Sequence, residues 1–449
     1  MPGEPSAIAD RTPPGEPRAT ADRTPLAGSG RAIARRPFTG ASLALLSRLG
    51  ARAMALGFLI VLAHHQSIRT FASYNYLLVL ASTVGVILDT GVGLVANREV
   101  AGGRLDLASA YHAALPTQVA TSALAAAAVA VLGLLLPGPV THYWAVLWTA
   151  IFIFFIGLFD GQAELLRGVG RPWVEASLQL LAAILQVGLG VAVILSGLGL
   201  AALMAVLALK QALVVGIAQL WLPAPRRGRD PELWRVFLRH GLWLGAATTF
   251  GVIAGRSAQL ALGNLASPIQ VAHFAVATRY LDLATMLCAT AAFGLLPAMA
   301  DRATCAPPLQ RKFLRRLLVG ALAASLALAA LLAPIVPWLT VTIFGERYRG
   351  AVPASEIFVA CLPLLMLSSI AWYALIAERL ERRVTLAAGV GAAIGGVAVV
   401  WIALRPTALA AAGATVVGLT ATALLLLGSL RRRGRRPVRS PAPAGAKSL

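Results

Sequence analysis

Four ionisable side chains stand inside otherwise apolar stretches of this sequence, where a charge is costly. Lys210, Arg256 and the pair Arg279 and Asp282 each lie well inside a long run of hydrophobic residues. On insertion scales a charge at the centre of a membrane helix costs about 2.5–3.5 kcal/mol, so such groups usually face protein or water instead of lipid. The three cations therefore predict a cavity that attracts an anion, because ammonium and guanidinium groups bind phosphate and carboxylate oxygens.

Two further arginines extend this hypothesis. Arg48 and Arg52 are one helical turn apart in the first apolar run. They either line the same cavity or reach the nearby membrane surface with their long side chains. We predict a cationic substrate-binding cavity formed by Lys210, Arg256, Arg279, Arg48 and Arg52.

Acidic residues in the apolar runs are candidates for binding a coupling proton or sodium ion. These are Asp89, Asp160, Glu164 and Asp282. The alternative for the first three is helix capping or an ion pair with Arg98 or Arg167. Asp282 follows Arg279 at the i, i+3 spacing, so the two can also neutralise each other on one helix face.

The sequence contains no pattern that predicts a metal, a cofactor or a catalytic group. Its three cysteines, Cys288, Cys305 and Cys361, are far apart, and the pair His64 and His65 stands at a helix end. A phosphate-binding loop with its lysine is missing, which excludes ATP as a direct energy source. We therefore expect no metal, no cofactor and no enzymatic activity.

Composition indicates the class of protein in which these charged residues are held. The 449 residues are 58% hydrophobic and 13% charged, with a mean hydropathy of +0.77, which is typical of an integral membrane protein. The net charge of +21 comes from arginines clustered between apolar runs, which indicates membrane topology and not a nucleic-acid partner.

Twelve apolar runs are long enough to cross a bilayer, since a helix needs about 20 residues to do so. They lie near residues 42–64, 71–97, 108–136, 142–166, 173–195, 199–222, 233–263, 268–297, 313–344, 351–377, 383–404 and 406–429. Arginines alternate between successive loops, which predicts that both termini are cytoplasmic. The bias towards Ala, Arg, Gly and Leu indicates a bacterial source, so we predict a multi-pass protein of the bacterial inner membrane.

The arginine-rich stretch around residue 228 divides the spans into six plus six. The predicted organisation is a disordered cytoplasmic tail (1–37), an N-terminal six-helix lobe (38–222), a cytoplasmic linker (223–232), a C-terminal six-helix lobe (233–430) and a basic cytoplasmic tail (431–449). We expect an all-α integral membrane fold of about 12 transmembrane helices, in two six-helix lobes around a central cavity.

Several stretches resemble one family of transporters. The stretch from Phe71 to Tyr76 leading to Leu88–Gly93, the stretch Gly255–Gly263 followed by Val271–Arg279, and Phe344–Tyr348 resemble bacterial polysaccharide flippases of the O-antigen type. These belong to the multidrug, oligosaccharidyl-lipid and polysaccharide exporter superfamily. The match departs from the family at His273 and Phe274, where Gly and Tyr are usual.

The resemblance implies a flippase that moves a polyprenyl-pyrophosphate-linked oligosaccharide by alternating access. Two alternatives remain: a cation-coupled multidrug antiporter of the same superfamily and a lipid II flippase. The implied partners are the lipid-linked glycan, membrane lipid, a coupling proton or sodium ion, and polysaccharide assembly proteins. A non-transporting scaffold would leave the buried bases as an unexplained cost.

Overall fold

The computed structural model describes residues 37–136, 138–139, 142–222, 231–295, 299, 307–377 and 380–433, and in these residues every regular element is a helix. Most of the predicted N-terminal tail, of the linker 223–232 and of the basic tail lies outside the described residues, as does the side chain of Arg48. The all-α membrane fold predicted from the sequence is confirmed.

The N-terminal half contains seven helices, several with clear start signals. Ser67 caps α2 by accepting a hydrogen bond from the backbone N–H of Thr70 at 3.1 Å, and Asp106 caps α4 through Ser109 at 3.0 Å. Pro172 begins α6. The helices are α1 (Pro37–His65), α2 (Ile68–Leu88), α3 (Val92–Ala101), α4 (Leu107–Leu135), α5 (Tyr143–Gly168), α6 (Pro172–Leu195) and α7 (Leu200–Gln219).

The C-terminal half is more interrupted, and three of its helices begin with a proline, which is favoured at the first helical position. Its helices are α8 (Pro231–Leu265), α9 (Pro268–Gly294), α10 (Pro307–Leu332), α11 (Ile335–Phe344), α12 (Val352–Ala360), α13 (Leu362–Ala377), α14 (Glu381–Ala398), α15 (Val400–Leu404) and α16 (Ala408–Arg433). A 3₁₀ helix, Glu346–Ala351, joins α11 to α12.

The predicted spans are recovered, but four of them are not continuous; the eleventh is interrupted at Val399, between α14 and α15. The second is divided into α2 and α3 at Asp89–Gly91, where Gly91 has a φ of +65° that a residue with a Cβ rarely adopts. The ninth is divided into α10 and α11 around Pro334. The tenth bends by 43° between α12 and α13.

Length and composition identify most of these segments as membrane spans. Among the described residues, eight helices are long and apolar enough to cross a bilayer, or nine if the bent α12–α13 pair is one span. The other three predicted spans correspond to α1, α8 and α9. The last two carry Arg256 and Arg279. The chain is therefore a multi-pass membrane protein.

Two sets of helices pack around a central space. In the first half α1 packs on α6, and α5 packs on α4 and α7; in the second, α14 packs on α8 and α16, and α9 on α13. The halves meet where α2 packs against α8 and α9, and α3 packs against α8. One continuous hydrophobic core joins both halves and contains Phe58, Tyr74, Phe274 and Tyr348.

The contact between α2 and α8 extends from the middle of α2 to beyond its end. Near the middle of α2, the hydroxyl of Tyr76 donates to the side-chain oxygen of Asn264, late in α8, at 3.1 Å. Beyond its end, the backbone at Thr90 lies so close to Gly241, early in α8, that a Cβ at position 241 would be 2.5 Å from the Thr90 carbonyl oxygen. The two helices are therefore antiparallel, with close contacts near the middle of α2 and just beyond its end.

Candidate functional site

Two arginines of the C-terminal half reach the same depth because α8 and α9 form an antiparallel pair. Arg256 lies nine residues before the end of α8, and Arg279 lies eleven residues after the start of α9. At 1.5 Å per residue these positions are about 14 and 16 Å from the short turn between the helices. Both arginines line one central cavity of about 590 Å³ between the halves.

The side chain of Arg279 has partners in both halves of the protein. Its Nη2 donates to the side-chain oxygen of Asn75 in α2 at 2.8 Å, and its Nη1 lies 3.4 Å from a carboxylate oxygen of Asp282. The predicted i, i+3 pair is thus formed. The Nε of Arg279 is buried and has no hydrogen-bond partner among the described residues. One donor of this guanidinium therefore lacks a protein partner among the described residues, and 24% of the side chain remains exposed.

Arg256 is the second cation of the cavity. Within the described part of the chain its guanidinium has no hydrogen bond and no ion pair. It lies close enough to Arg279 for the two positive charges to repel each other. Two adjacent guanidinium groups with free donors form a site for an anion with several oxygens, such as a phosphate.

The opposite wall of the central cavity comes from the N-terminal half and presents acidic and polar groups among mostly apolar side chains. Asp89, Asp160 and Glu164 line it together with the amide of Gln118 and with Arg167. The lining therefore carries three arginines and three carboxylates. It is mixed in charge, whereas the sequence predicted a cationic cavity.

Of the three carboxylates on this wall, two have protein partners. Asp89 accepts a hydrogen bond from the backbone N–H of Gly91 at 2.9 Å and so stabilises the turn between α2 and α3. Glu164 pairs with Arg167 at 2.9 Å and accepts from Asn97 at 2.7 Å. Asp160 is exposed to the cavity and has neither a hydrogen bond nor an ion pair with any described residue. It is the carboxylate left for a ligand.

A second cavity, of about 500 Å³, lies within the N-terminal half. We call it the side cavity; it is lined by α1, α5, α6 and α7 and contains Arg52, Lys210 and Glu175. Asp160 and Arg167 line both cavities, so the two spaces meet at α5. The structure places Arg52 and Lys210 in the side cavity and not beside Arg256 and Arg279.

Lys210 is connected to the central cavity through a chain of hydrogen bonds. It is 8% exposed, and its Nζ donates to the side-chain oxygen of Gln186. The amide nitrogen of Gln186 in turn lies 3.3 Å from the hydroxyl of the fully buried Tyr74, to which it donates. Tyr74 interacts electrostatically with Arg279. The ammonium group of Lys210 is thus connected to the anion site through Gln186 and Tyr74 and does not contact it directly.

Some contributors could not be singled out from the sequence. Asn75, Gln118 and Gln186 are amides inside apolar runs, and their roles depend on partners far along the chain. Arg167 looked like an ordinary loop arginine, but it lines both cavities and also lies 3.9 Å from Glu175. Among the described residues no group of three His, Cys, Asp or Glu side chains could hold a metal ion.

Comparison with known proteins identifies the family of this chain. A family model described as "Polysaccharide biosynthesis protein" matches residues 38–302, more than half of the chain. The chain belongs to this family. The resemblance to polysaccharide flippases seen in the sequence is thereby confirmed. No curated protein sequence matches the chain.

Solved structures show which fold this member of the polysaccharide biosynthesis family adopts. The lipid II flippase MurJ, in an inward closed conformation, is similar with a TM-score of 0.64 and 13% identity, covering 87% of each chain. A multidrug resistance MATE family transporter of the MOP superfamily, in an inward-facing conformation, has a TM-score of 0.60 and 15% identity, covering 86% of this chain and 94% of its own.

A MOP superfamily transporter from Pyrococcus furiosus is also similar, with a TM-score of 0.53 and 14% identity over 89% of this chain and 93% of its own. At these identities the likeness concerns the fold. The polysaccharide biosynthesis family member described here therefore has the transporter fold of the MOP superfamily.

Proposed function

We propose that this protein is a flippase that carries a polyprenyl-pyrophosphate-linked oligosaccharide across the bacterial inner membrane by alternating access. The observation that carries the proposal is the pair Arg256 and Arg279, at matched depth in a cavity between the two halves. Arg256 is unpaired among the described residues, and Arg279 keeps a free Nε donor. The oxygen atoms of a pyrophosphate can accept hydrogen bonds from these donors.

The position of the cavity supports alternating access. It lies where α2 and α4–α5 of one half face α8 and α9 of the other, so any change in the angle between the halves changes its shape. The halves also touch through the ring of Phe71 against that of Tyr348, with centroids 5.3 Å apart, and through the Gly241 contact. The two contacts lie near opposite ends of α2, so in this proposal they would break alternately as access changes from one side of the membrane to the other.

Membership of the polysaccharide biosynthesis family supports a lipid-linked glycan as cargo. A role as a transporter and not as an enzyme is consistent with the MurJ and MATE likenesses. In this proposal both termini are cytoplasmic, the cargo and membrane lipid are the principal partners, and proteins of polysaccharide assembly receive the product. Neither a cofactor nor a nucleic acid takes part.

One observation favours a second candidate. The cavity wall formed by Asp89, Asp160 and Glu164 would suit a cationic drug, and the fold is also that of MATE family transporters. A cation-coupled multidrug antiporter is therefore the runner-up. In either case a coupling proton or sodium ion needs a carboxylate without a protein partner. Of Asp89, Asp160, Glu164 and Asp282, only Asp160 has no partner among the described residues.

The test is transport in proteoliposomes. The purified protein is reconstituted with a fluorescent polyprenyl-pyrophosphate disaccharide, and the fraction of label that crosses the bilayer is measured. We expect Arg256→Ala and Arg279→Ala to lose transport, while Arg405→Ala, an exposed arginine between α15 and α16, keeps it. Arg256→Lys should keep part of the activity, because lysine retains the charge but not the planar fork.

Transport of the lipid-linked sugar by both alanine variants at the wild-type rate would exclude the arginine site. Failure of the wild type to move this lipid, together with saturable uptake of a cationic dye, would favour the antiporter.

A further inference from the structure

We infer that the acidic wall of the central cavity selects a cargo whose sugar next to the pyrophosphate is uncharged, and that Asp160 and Gln118 contact that sugar. This inference rests on the proposed function and adds the class of sugar to it. It starts from a division within the cavity. The C-terminal half contributes Arg256 and Arg279, and the N-terminal half contributes the carboxylates and the amide of Gln118.

The two sides of the cavity also differ in depth. Asp160 lies eight residues, or about 12 Å, before the end of α5, and Glu164 is one turn closer to that end. Arg279 lies fifteen residues, or about 22 Å, before the end of α9, which is predicted to lie on the same side of the membrane as the end of α5. In the inferred binding mode, a ligand whose phosphates bind the arginines extends its next group towards the carboxylates.

Asp160 sets the chemistry of that second position while it holds no coupling ion. An ionised carboxylate only accepts hydrogen bonds, and its partner must be a donor. Sugar hydroxyls and amide N–H groups are such donors. A hexuronic acid at the same position would bring a second carboxylate against Asp160, with Asp89 and Glu164 on the same wall and only Arg167, which is paired with Glu164, to offset them. Like charges placed together in a site strongly disfavour binding.

Gln118 independently indicates a missing polar ligand. It lines the central cavity and is 7% exposed, and neither its amide oxygen nor its amide nitrogen has a hydrogen-bond partner among the described residues. Buried amides are normally paired, so each exception needs a reason. The side chain lies against Gly161, where a Cβ would collide with the amide. A glycine next to Asp160 thus leaves room for Gln118, and a hydroxyl-rich sugar would satisfy both residues.

The volume of the cavity agrees with this division. At about 590 Å³ it lies within the range of about 300–1,000 Å³ that is usual for small-ligand sites. It therefore accommodates the pyrophosphate and the adjoining sugar, and not a long glycan. The cavity therefore selects only for the sugar next to the pyrophosphate, whichever sugars follow it in the glycan.

Equilibrium binding to the full-length protein in detergent, without an ion gradient, tests the inference. Three probes are compared: farnesyl pyrophosphate, the same lipid carrying N-acetylglucosamine, and the same lipid carrying glucuronic acid. We expect the wild type to bind the N-acetylglucosamine probe at least about tenfold more tightly than the glucuronic acid probe. Farnesyl pyrophosphate, which has no sugar, reports the arginine site alone.

Variants then assign the effect to residues. Asp160→Asn should bring the two sugar probes to within about threefold of each other, mainly by strengthening the acidic one, because the amide can also donate. Gln118→Leu should weaken the N-acetylglucosamine probe and leave farnesyl pyrophosphate unchanged. The matched control is Asp106→Asn, which removes one charge outside the cavity and keeps an equally good helix cap.

The outcomes separate the two proposals. If none of the three probes binds the wild type, the proposed function itself fails. If farnesyl pyrophosphate binds but the two sugar probes bind equally well, or if Asp160→Asn changes the ratio no more than Asp106→Asn does, the arginine site stands and the inference is overturned. The comparison of probes on the wild type decides this even if a variant fails to fold.

Discussion

The guanidinium of Arg279 donates a hydrogen bond of 2.8 Å to the side-chain oxygen of Asn75, across the contact between the two halves. Asn75 is fully buried and is oriented by its own donation to the carbonyl oxygen of Phe71 at 2.8 Å. The same arginine faces the central cavity. A ligand oxygen that takes this Nη2 donor as well as the free Nε competes with a bond that joins the two halves, so cargo binding would affect how the halves contact each other.

This relation predicts opposite effects for two substitutions of Asn75. In Asn75→Asp the carboxylate would hold Arg279 in an ion pair, which is stronger than the present bond from a charged donor to a neutral amide oxygen. Binding of farnesyl pyrophosphate should then weaken about tenfold or more. In Asn75→Ala the arginine loses a competitor, and binding should not weaken. The measurement is a titration of the purified protein, and equal affinities for the two variants would contradict the competition.

Lys210 is expected to act through Gln186 and not by direct contact with the pyrophosphate, because it lies in the side cavity. Lys210→Ala and Gln186→Leu should each slow transport without abolishing farnesyl pyrophosphate binding. The double variant should be no worse than the more severe single variant. Residues that act as one network typically show interaction energies of about 0.5–3 kcal/mol in such a cycle.

The contrary results for Lys210 are equally clear. Additive losses in the double variant would mean that Lys210 acts independently of Gln186. A complete loss of farnesyl pyrophosphate binding in Lys210→Ala alone would return the lysine to the anion site that the sequence predicted.

The sequence was sufficient for the architecture because membrane spans are long and apolar. Twelve runs and the alternation of arginine predicted the fold, and the high cost of a mid-membrane charge identified Arg256 and Arg279. Turns within a span are a weaker signal. The break between α2 and α3 depends on a single residue, Gly91, and on the hydrogen bond from its N–H to Asp89.

The internal arrangement of the site could not be predicted in the same way. Asn75 and Arg279 are separated by 204 positions, and Lys210 and Gln186 by 24, so no local spacing indicates either pair. Hydropathy shows that Lys210 is buried, but not which of two cavities it lines. Which carboxylate stays free also depends on partners from other helices, such as Asn97 for Glu164.

Topology is tested by labelling single cysteines in a background without Cys288, Cys305 and Cys361. Ser196→Cys, exposed in the loop between α6 and α7, should react with an impermeant thiol reagent from outside the cell. Arg104→Cys, between α3 and α4, should react only after the membrane is made permeable, because the original side chain there is 75% exposed on the predicted cytoplasmic side.

The structure also shows which site to avoid in this experiment. Position 138 is predicted to be external, but a Cβ there would lie 2.7 Å from the ring of Tyr76. A cysteine at 138 would disturb that packing. Labelling of Arg104→Cys from outside intact cells would overturn the predicted orientation.

Gly241 allows α8 to approach the turn between α2 and α3, and its substitution tests how the halves meet. A Cβ at this position would lie 2.5 Å from the carbonyl oxygen of Thr90, closer than such atoms approach, and backbone cannot move aside as a flexible side chain can. Gly241→Ala must therefore separate α8 from the turn. Overpacking of this kind costs about 1–3 kcal/mol, so the melting temperature in detergent should fall.

Gly216 in α7 provides the matched control, because a Cβ there meets no atom within 4 Å. Gly216→Ala should be neutral or stabilising by up to about 1 kcal/mol, since alanine is the better helix former. A cysteine at Thr90 reports the contact directly: its labelling should become faster in combination with Gly241→Ala and stay unchanged with Gly216→Ala. Equal melting temperatures and equal labelling rates of the cysteine at position 90 in the two alanine variants would contradict the close approach of α8 to Thr90. The contact between the two halves would then have to lie elsewhere.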